Sequence, residues 1–148
     1  MRVALLQYSI AWADKETNLR MAEEHIAALA GKADVAVLPE MFATGFCTNH
    51  PELAETMDGE IIRRLQAVAD QSGVAIVSSF ICPPTPIANR PLPIAKLVNR
   101  GFMVVPHGEV QIQDKRHLYA HGGEDLFFEQ ASERSTFEYK GVKIQLLV

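Results

Sequence analysis

The stretch Ala33-Asp34-Val35-Ala36-Val37-Leu38-Pro39-Glu40 constrains this chain more than any other. A short apolar run of this kind reads as a buried strand. Pro39 ends the ladder because it has no N–H to pair. The next residue, Glu40, is therefore a carboxylate delivered at a strand end, among Met41, Phe42 and Phe46. An acid in apolar surroundings is a candidate general base. A surface glutamate just past a strand is the competing reading.

The flanking sequence sets the fold class. Residues 2–8 read as a first strand, buried on both faces. Asp14 or Thr17 can cap a helix running to about Ala30, with Leu19, Ala22, Ile26 and Leu29 on one face and Gly31 just past its end. With the strand before Glu40 this makes a β-α-β unit, which implies parallel pairing and an α/β fold. Asp58 is placed to cap a second helix with the apolar face Ile61, Leu65 and Val68, closed by Gly73. Val74–Ile81 follows as a third buried strand.

Residues 82–93 contain five prolines and read as an exposed surface loop. Leu97–Val105 and Glu109–Gln113 flank Pro106-His107-Gly108 and predict an antiparallel hairpin. Tyr119–Ser132 reads as a polar loop with a Gly122-Gly123 break and one helical turn. A last hairpin turns at Lys140-Gly141, and its second strand, Val142–Val148, reads as core.

A chain of 148 residues fits one domain with a real core. The net charge of −4 gives no reason to expect nucleic acid or an anionic membrane as a partner. No run approaches the ~20 apolar residues of a membrane span. The opening apolar run is too short for a signal peptide and is followed at once by Asp14, Lys15 and Glu16. Cys47 and Cys82 make neither a disulfide framework nor a metal spacing. The expected compartment is the cytoplasm.

Two constellations carry possible chemistry. Glu40 and Lys115 each sit just beyond a predicted strand, where ligand sites of open α/β sheets gather. A base facing a fixed cation can move a proton and stabilise an oxyanion. The rival is His117, His121 and Glu124, which on a continuous helix would suit zinc. Gly122-Gly123 breaks that helix, so metal is not expected and His117 is read as holding neighbouring backbone or lining a pocket. Trp12 and the other aromatics read as core or pocket wall.

Leu38-Pro39-Glu40 with Thr44-Gly45-Phe46, then Asn99-Arg100-Gly101-Phe102, then Asp114-Lys115-Arg116-His117-Leu118, resemble motifs of the nitrilase superfamily of carbon–nitrogen hydrolases, in its bacterial omega-amidase-like branch. The likeness runs from Arg2 to Val148. It implies a four-layer α-β-β-α sandwich with mixed sheets, a Glu–Lys–Cys triad and no cofactor. Glu40 would then be the general base, Lys115 the oxyanion stabiliser and Glu124 the glutamate that fixes the triad. Phe42, Phe46 and His117 would line the substrate site, and the substrate would be a small-acid amide. The family's nucleophilic cysteine follows the strand matched by Val142–Val148, so residues 1–148 read as an incomplete hydrolase domain. A homo-oligomer or a completing C-terminal half is the expected partner. The alternative is a non-catalytic homologue acting as a fold or oligomer partner.

Overall fold

The computed structural model describes residues 1–84 and 96–148. Five strands form one mixed sheet in the order β1 (Val3–Leu5), β2 (Val35–Val37), β3 (Ala75–Cys82), β4 (Val98–Val104) and β5 (Gln111–Asp114). The pairs β1–β2 and β2–β3 are parallel, as β-α-β crossovers require. The pairs β3–β4 and β4–β5 are antiparallel, the latter being the expected hairpin.

Helices α1 (Lys15–Ala27) and α2 (Glu60–Ser72) cover one face of the sheet. Asp14 caps α1 as its sequence suggests, accepting the Thr17 N–H at 3.1 Å. The helix ends at Ala27, short of Ala30, and hydrogen-bonded turns lead to Gly31 at φ 71°. The cap of α2 differs from expectation. Gly59 occupies that position, Glu55 accepts the Ile61 N–H, and Asp58 bonds Thr56 instead. Gly73 closes α2 in the left-handed region, at φ 70°. Leu19, Ala22 and Ile26 of α1 meet Ile61, Leu65 and Val68 of α2 over Ile76, Phe80, Phe102 and Val104 of the sheet.

The opposite face of the sheet carries a smaller core. Val35, Ala75, Val77 and Met103 meet Phe137, Ile144 and Leu146 from the hairpin β6 (Phe137–Tyr139) and β7 (Val142–Ile144). Strand alternation explains the split: on β4, Phe102 and Val104 point to the helices while Met103 points to the hairpin. Between β5 and β6 lies a single turn of helix, α3 (Glu124–Phe127), as the sequence suggested.

Two expectations about strands fail, for related reasons. β1 is an edge strand of three residues, with Val3 51% and Leu5 79% exposed, and is not buried on both faces. The segment 142–148 is not a core strand either: β7 stops at Ile144, and Leu147 is 84% exposed. An apolar run cannot reveal whether both its faces have neighbours. Of the proline-rich loop, Cys82–Pro84 are described and Cys82 still belongs to β3; residues 85–93 lie outside the described residues.

Gly101 positions the last residues. A Cβ there would meet Val148 Cγ2 at 2.5 Å and the Gln113 carbonyl at 2.7 Å, so the end of the chain lies directly over β4. Because the second contact is backbone, it cannot rotate away. We expect Gly101→Ala to destabilise the fold by about 1–3 kcal/mol, read as a lower urea midpoint at unchanged slope. An unchanged midpoint would show that neither contact constrains a side chain at this position.

Candidate active site

The loop after β2 presents Glu40 under tight control. Leu38 N–H makes a last ladder bond to Val77 O at 2.9 Å, and Pro39 contributes none. Two neighbouring serines of β3 then take hold. Ser78 Oγ donates to Pro39 O at 2.6 Å, and Ser79 Oγ accepts the Met41 N–H at 3.0 Å. Met41 is fully buried at φ 49°, an uncommon conformation for a residue with a side chain, kept only where surroundings dictate it. Glu40 is thus clamped on both sides, with its side chain 39% exposed.

Lys115 arrives from the end of β5. Its N–H donates to Asn99 O at 2.9 Å, and its own carbonyl accepts the Ala131 N–H at 2.9 Å. The ammonium, 7% exposed, lies 2.6 Å from Glu40 Oε1 and 3.1 Å from Glu124 Oε2. It also sits over the Phe46 ring, 5.4 Å from the centroid. Burial alone would push this amine down, but its bonds to Glu40 and Glu124 outweigh burial and raise it above the ordinary lysine value of 10.5.

Glu124 is wholly buried on α3 and fully engaged. Besides Lys115, its Oε2 accepts the Tyr119 N–H at 2.6 Å, and its Oε1 accepts Asn99 Nδ2 at 3.1 Å. Asn99 Nδ2 also donates to Glu40 Oε1 at 2.7 Å. Glu40, Lys115, Glu124 and Asn99 therefore close a ring of alternating acceptors and donors, and Glu40 Oε2 has no partner among the described residues. Two carboxylates around one ammonium leave the cluster one charge negative, with a partly open carboxylate beside a fixed cation.

The structure brings together Glu40, Lys115 and Glu124, with Phe46 against the lysine. Phe42 lies elsewhere: it is fully buried in the main core with its ring against Phe102, because the turn at Met41 directs it inward. His117 is exposed on the wall of a cavity of about 170 Å³ lined also by Lys115, Arg134 and Val148. His121 stacks on Tyr119 and Glu124 is engaged by Asn99, Tyr119 and Lys115, so the zinc constellation does not assemble. Among the described residues no three His, Cys, Asp or Glu side chains are grouped to hold an ion. Trp12 is 63% exposed and covers Gly45, where a Cβ would meet its ring at 3.3 Å. Sequence reasoning gave no role to Asn99, Ser78 or Ser79; two serines inside a strand otherwise apolar were the available signal.

Neither cysteine joins the site. Cys47 is fully buried and donates to Thr44 O at 3.1 Å, and Cys82 lies 3.4 Å from an Arg100 nitrogen. Burial raises both thiols, Cys82 up to about 11, the reverse of what a nucleophile needs.

The raised lysine has a stability signature. A group whose folded value exceeds its unfolded value stabilises fully below the unfolded value and loses that contribution as pH climbs through the folded one. The difference in unfolding free energy between the parent and Lys115→Met, from urea titrations, should hold steady up to pH 10.5 and shrink above it. A difference that widens in alkali would mean that burial outweighs the two carboxylates.

Comparison with known proteins shows the family. The family described as carbon-nitrogen hydrolase matches residues 2–148. The omega-amidase YafV of Escherichia coli K12 is 30% identical over 148 residues, covering all of this chain and 54% of that protein. YafV of Yersinia enterocolitica is 32% identical, covering 97% of this chain and 52% of the relative. The structure of XC1258 from Xanthomonas campestris, a CN-hydrolase superfamily protein with an arsenic adduct in its active site, superposes with a TM-score of 0.85 at 32% identity, over 97% of this chain and 51% of its own. The chain thus spans about half the length of the curated relatives it matches. Its mixed α/β sheet and its sequence from residue 2 onward make it a member of the carbon–nitrogen hydrolase family, the nitrilase superfamily.

Proposed function

We propose that this chain carries the base and the cation of a thiol-dependent amidase acting on a small-acid amide, with the nucleophilic thiol supplied beyond residue 148. The observation that carries the reading is the pairing of Glu40 with Lys115 between two clefts. Lys115 Nζ lies 2.6 Å from Glu40, and Val148 lines the clefts on both sides of the pair, one holding Lys115 and the other Glu40, Ser78 and Ser79. In this reading the thiol approaches the partly open carboxylate through these clefts. The relatives are named omega-amidases, which supports the substrate class.

The chemistry follows from the groups in hand. Glu40 takes the thiol proton, and the thiolate attacks the amide carbon. Lys115 stabilises the oxyanion formed, a contribution whose loss typically costs about 10²–10³ in rate. The tetrahedral species collapses to an acyl-thioester and ammonia, with Glu40 returning the proton to the leaving nitrogen. Glu40 then deprotonates water, which attacks the thioester, releases the acid and regenerates the thiol. Glu124 holds the ammonium in place throughout. Phe46 and His117 would wall the substrate, while Phe42 would act from below by supporting the loop.

In this reading β6–β7 begins the second sheet of a four-layer sandwich, and the exposed Leu5 and Leu147 meet a completing C-terminal half or a second protomer. The unpaired thiols suit the cytoplasm.

The test extends the chain with the C-terminal half of a YafV relative, beginning at its cysteine, and measures ammonia release from small-acid amides. The 148-residue chain should release none and the extended chain should turn over. Glu40→Gln and Lys115→Met should abolish turnover without unfolding the protein, while Cys47→Ser and Cys82→Ser should leave it largely intact. Full activity of extended Glu40→Gln would reduce the opening stretch to a structural element. Turnover by the short chain that disappears in Cys47→Ser would place the nucleophile elsewhere.

A further inference from the structure

Asn99 places its amide on both carboxylates of the site. It is fully buried on β4, opposite Ile81 of β3, so its backbone is fixed by the sheet. Its carbonyl accepts the Lys115 N–H at 2.9 Å, which fixes the lysine backbone against it. Its Nδ2 reaches Glu40 at 2.7 Å and Glu124 at 3.1 Å. One residue therefore holds all three charged members.

We propose that Asn99 is the positioning residue of this site, its amide donating to Glu40 and to Glu124 so that two mutually repelling carboxylates stay at the spacing one ammonium can serve. The consequence for turnover rests on the amidase reading; the bridge itself does not. An amide NH2 is suited to this work because it offers two donors in a rigid plane and adds no charge. A serine has one hydrogen to give, and an aspartate would bring a third negative charge against the two present. The amide orientation is dictated by its neighbours, since the reverse would point its oxygen at both carboxylates. Accordingly Oδ1 is left buried without a partner among the described residues: a normally costly arrangement is accepted to keep both donors on the glutamates.

The bridge also explains how the two glutamates differ. Glu124 spends both oxygens on buried donors, whereas Glu40 receives Asn99 and Lys115 on Oε1 alone. Asn99 and Lys115 together turn Oε2 toward the open side, where a proton would be taken. Losing the amide lets the Glu40 carboxylate rotate, a small displacement that typically costs about 10²-fold in rate when it occurs at a reacting group.

Two measurements decide the proposal, one without turnover. In the 148-residue chain with 15N-labelled asparagine, the Asn99 side-chain protons should exchange slowly with water. Glu40→Gln should move one of the pair and Glu124→Gln the other, because each proton loses a charged acceptor separately. Resonances indifferent to both substitutions would overturn the bridge. In the extended, active chain, Asn99→Asp and Asn99→Ala should lower kcat by about 100-fold with KM changed by less than about 3-fold, since positioning of the reacting group is lost and substrate contact is not. Loss confined to KM, or kcat within about 2-fold of the parent, would overturn the positioning role. If the unsubstituted extended chain hydrolyses no amide, the amidase reading fails, and the proton resonances still decide whether Asn99 spans the two glutamates.

Discussion

A lysine ammonium that is 7% exposed must be paired, and the pairing of Lys115 organises this molecule. Its two carboxylates come from separate places, the loop after β2 and the single turn α3, and Asn99 near the start of β4 bridges them. Removing the ammonium would leave two neighbouring carboxylates, one of them wholly buried, without a counter-charge, which is the costly loss in such a cluster. The architecture therefore cannot relax one element without disturbing the others. That explains why so short a helix as α3 keeps a defined place: Glu124 anchors it by three bonds, with Phe128 behind it in the core.

The turn at Glu40 shows how local strain is sustained. Left to itself, Met41 would leave the left-handed region, where a side chain crowds the backbone. Ser79 takes its N–H, Ser78 secures the Pro39 carbonyl, and the Met41 side chain is sealed with Cys47, Ile81 and Phe128. Apolar burial and two hydroxyls together fix a conformation that neither the loop nor the strand prefers. The sheet beneath serves as a rigid base, because β3 is buried along its whole length.

Much of the fold was legible because it rests on periodicity. The β-α-β opening, the faces of both helices, the left-handed stop at Gly73 and the hairpin of β4 and β5 all follow from spacing and turn chemistry. Glu40 and Lys115 were legible as strand-end residues, and their 2.6 Å pairing agrees with the family motifs that carry them. What sequence could not reveal depended on neighbours. The exposure of Leu5 is a consequence of β1 lying at an edge, and that of Leu147 of what covers the last residues. Phe42 is adjacent to the site in sequence but is turned into the core by one dihedral at Met41. Asn99 opened a family motif but showed no role of its own, because its importance lies in two partners 59 and 25 positions away.

Those separations have a consequence for the order in which the molecule is made. The serine bonds around Glu40 span 38 and 39 residues, whereas the bond to Lys115 spans 75. On a ribosome adding about 5–20 residues each second, the turn can be set several seconds before its cation emerges. During that interval the two hydroxyls can already hold the backbone on either side of Glu40, while its carboxylate awaits Asn99 and Lys115. The chain thus shapes the receptor for the charge first, and the charge that arrives later closes the site without having to build it.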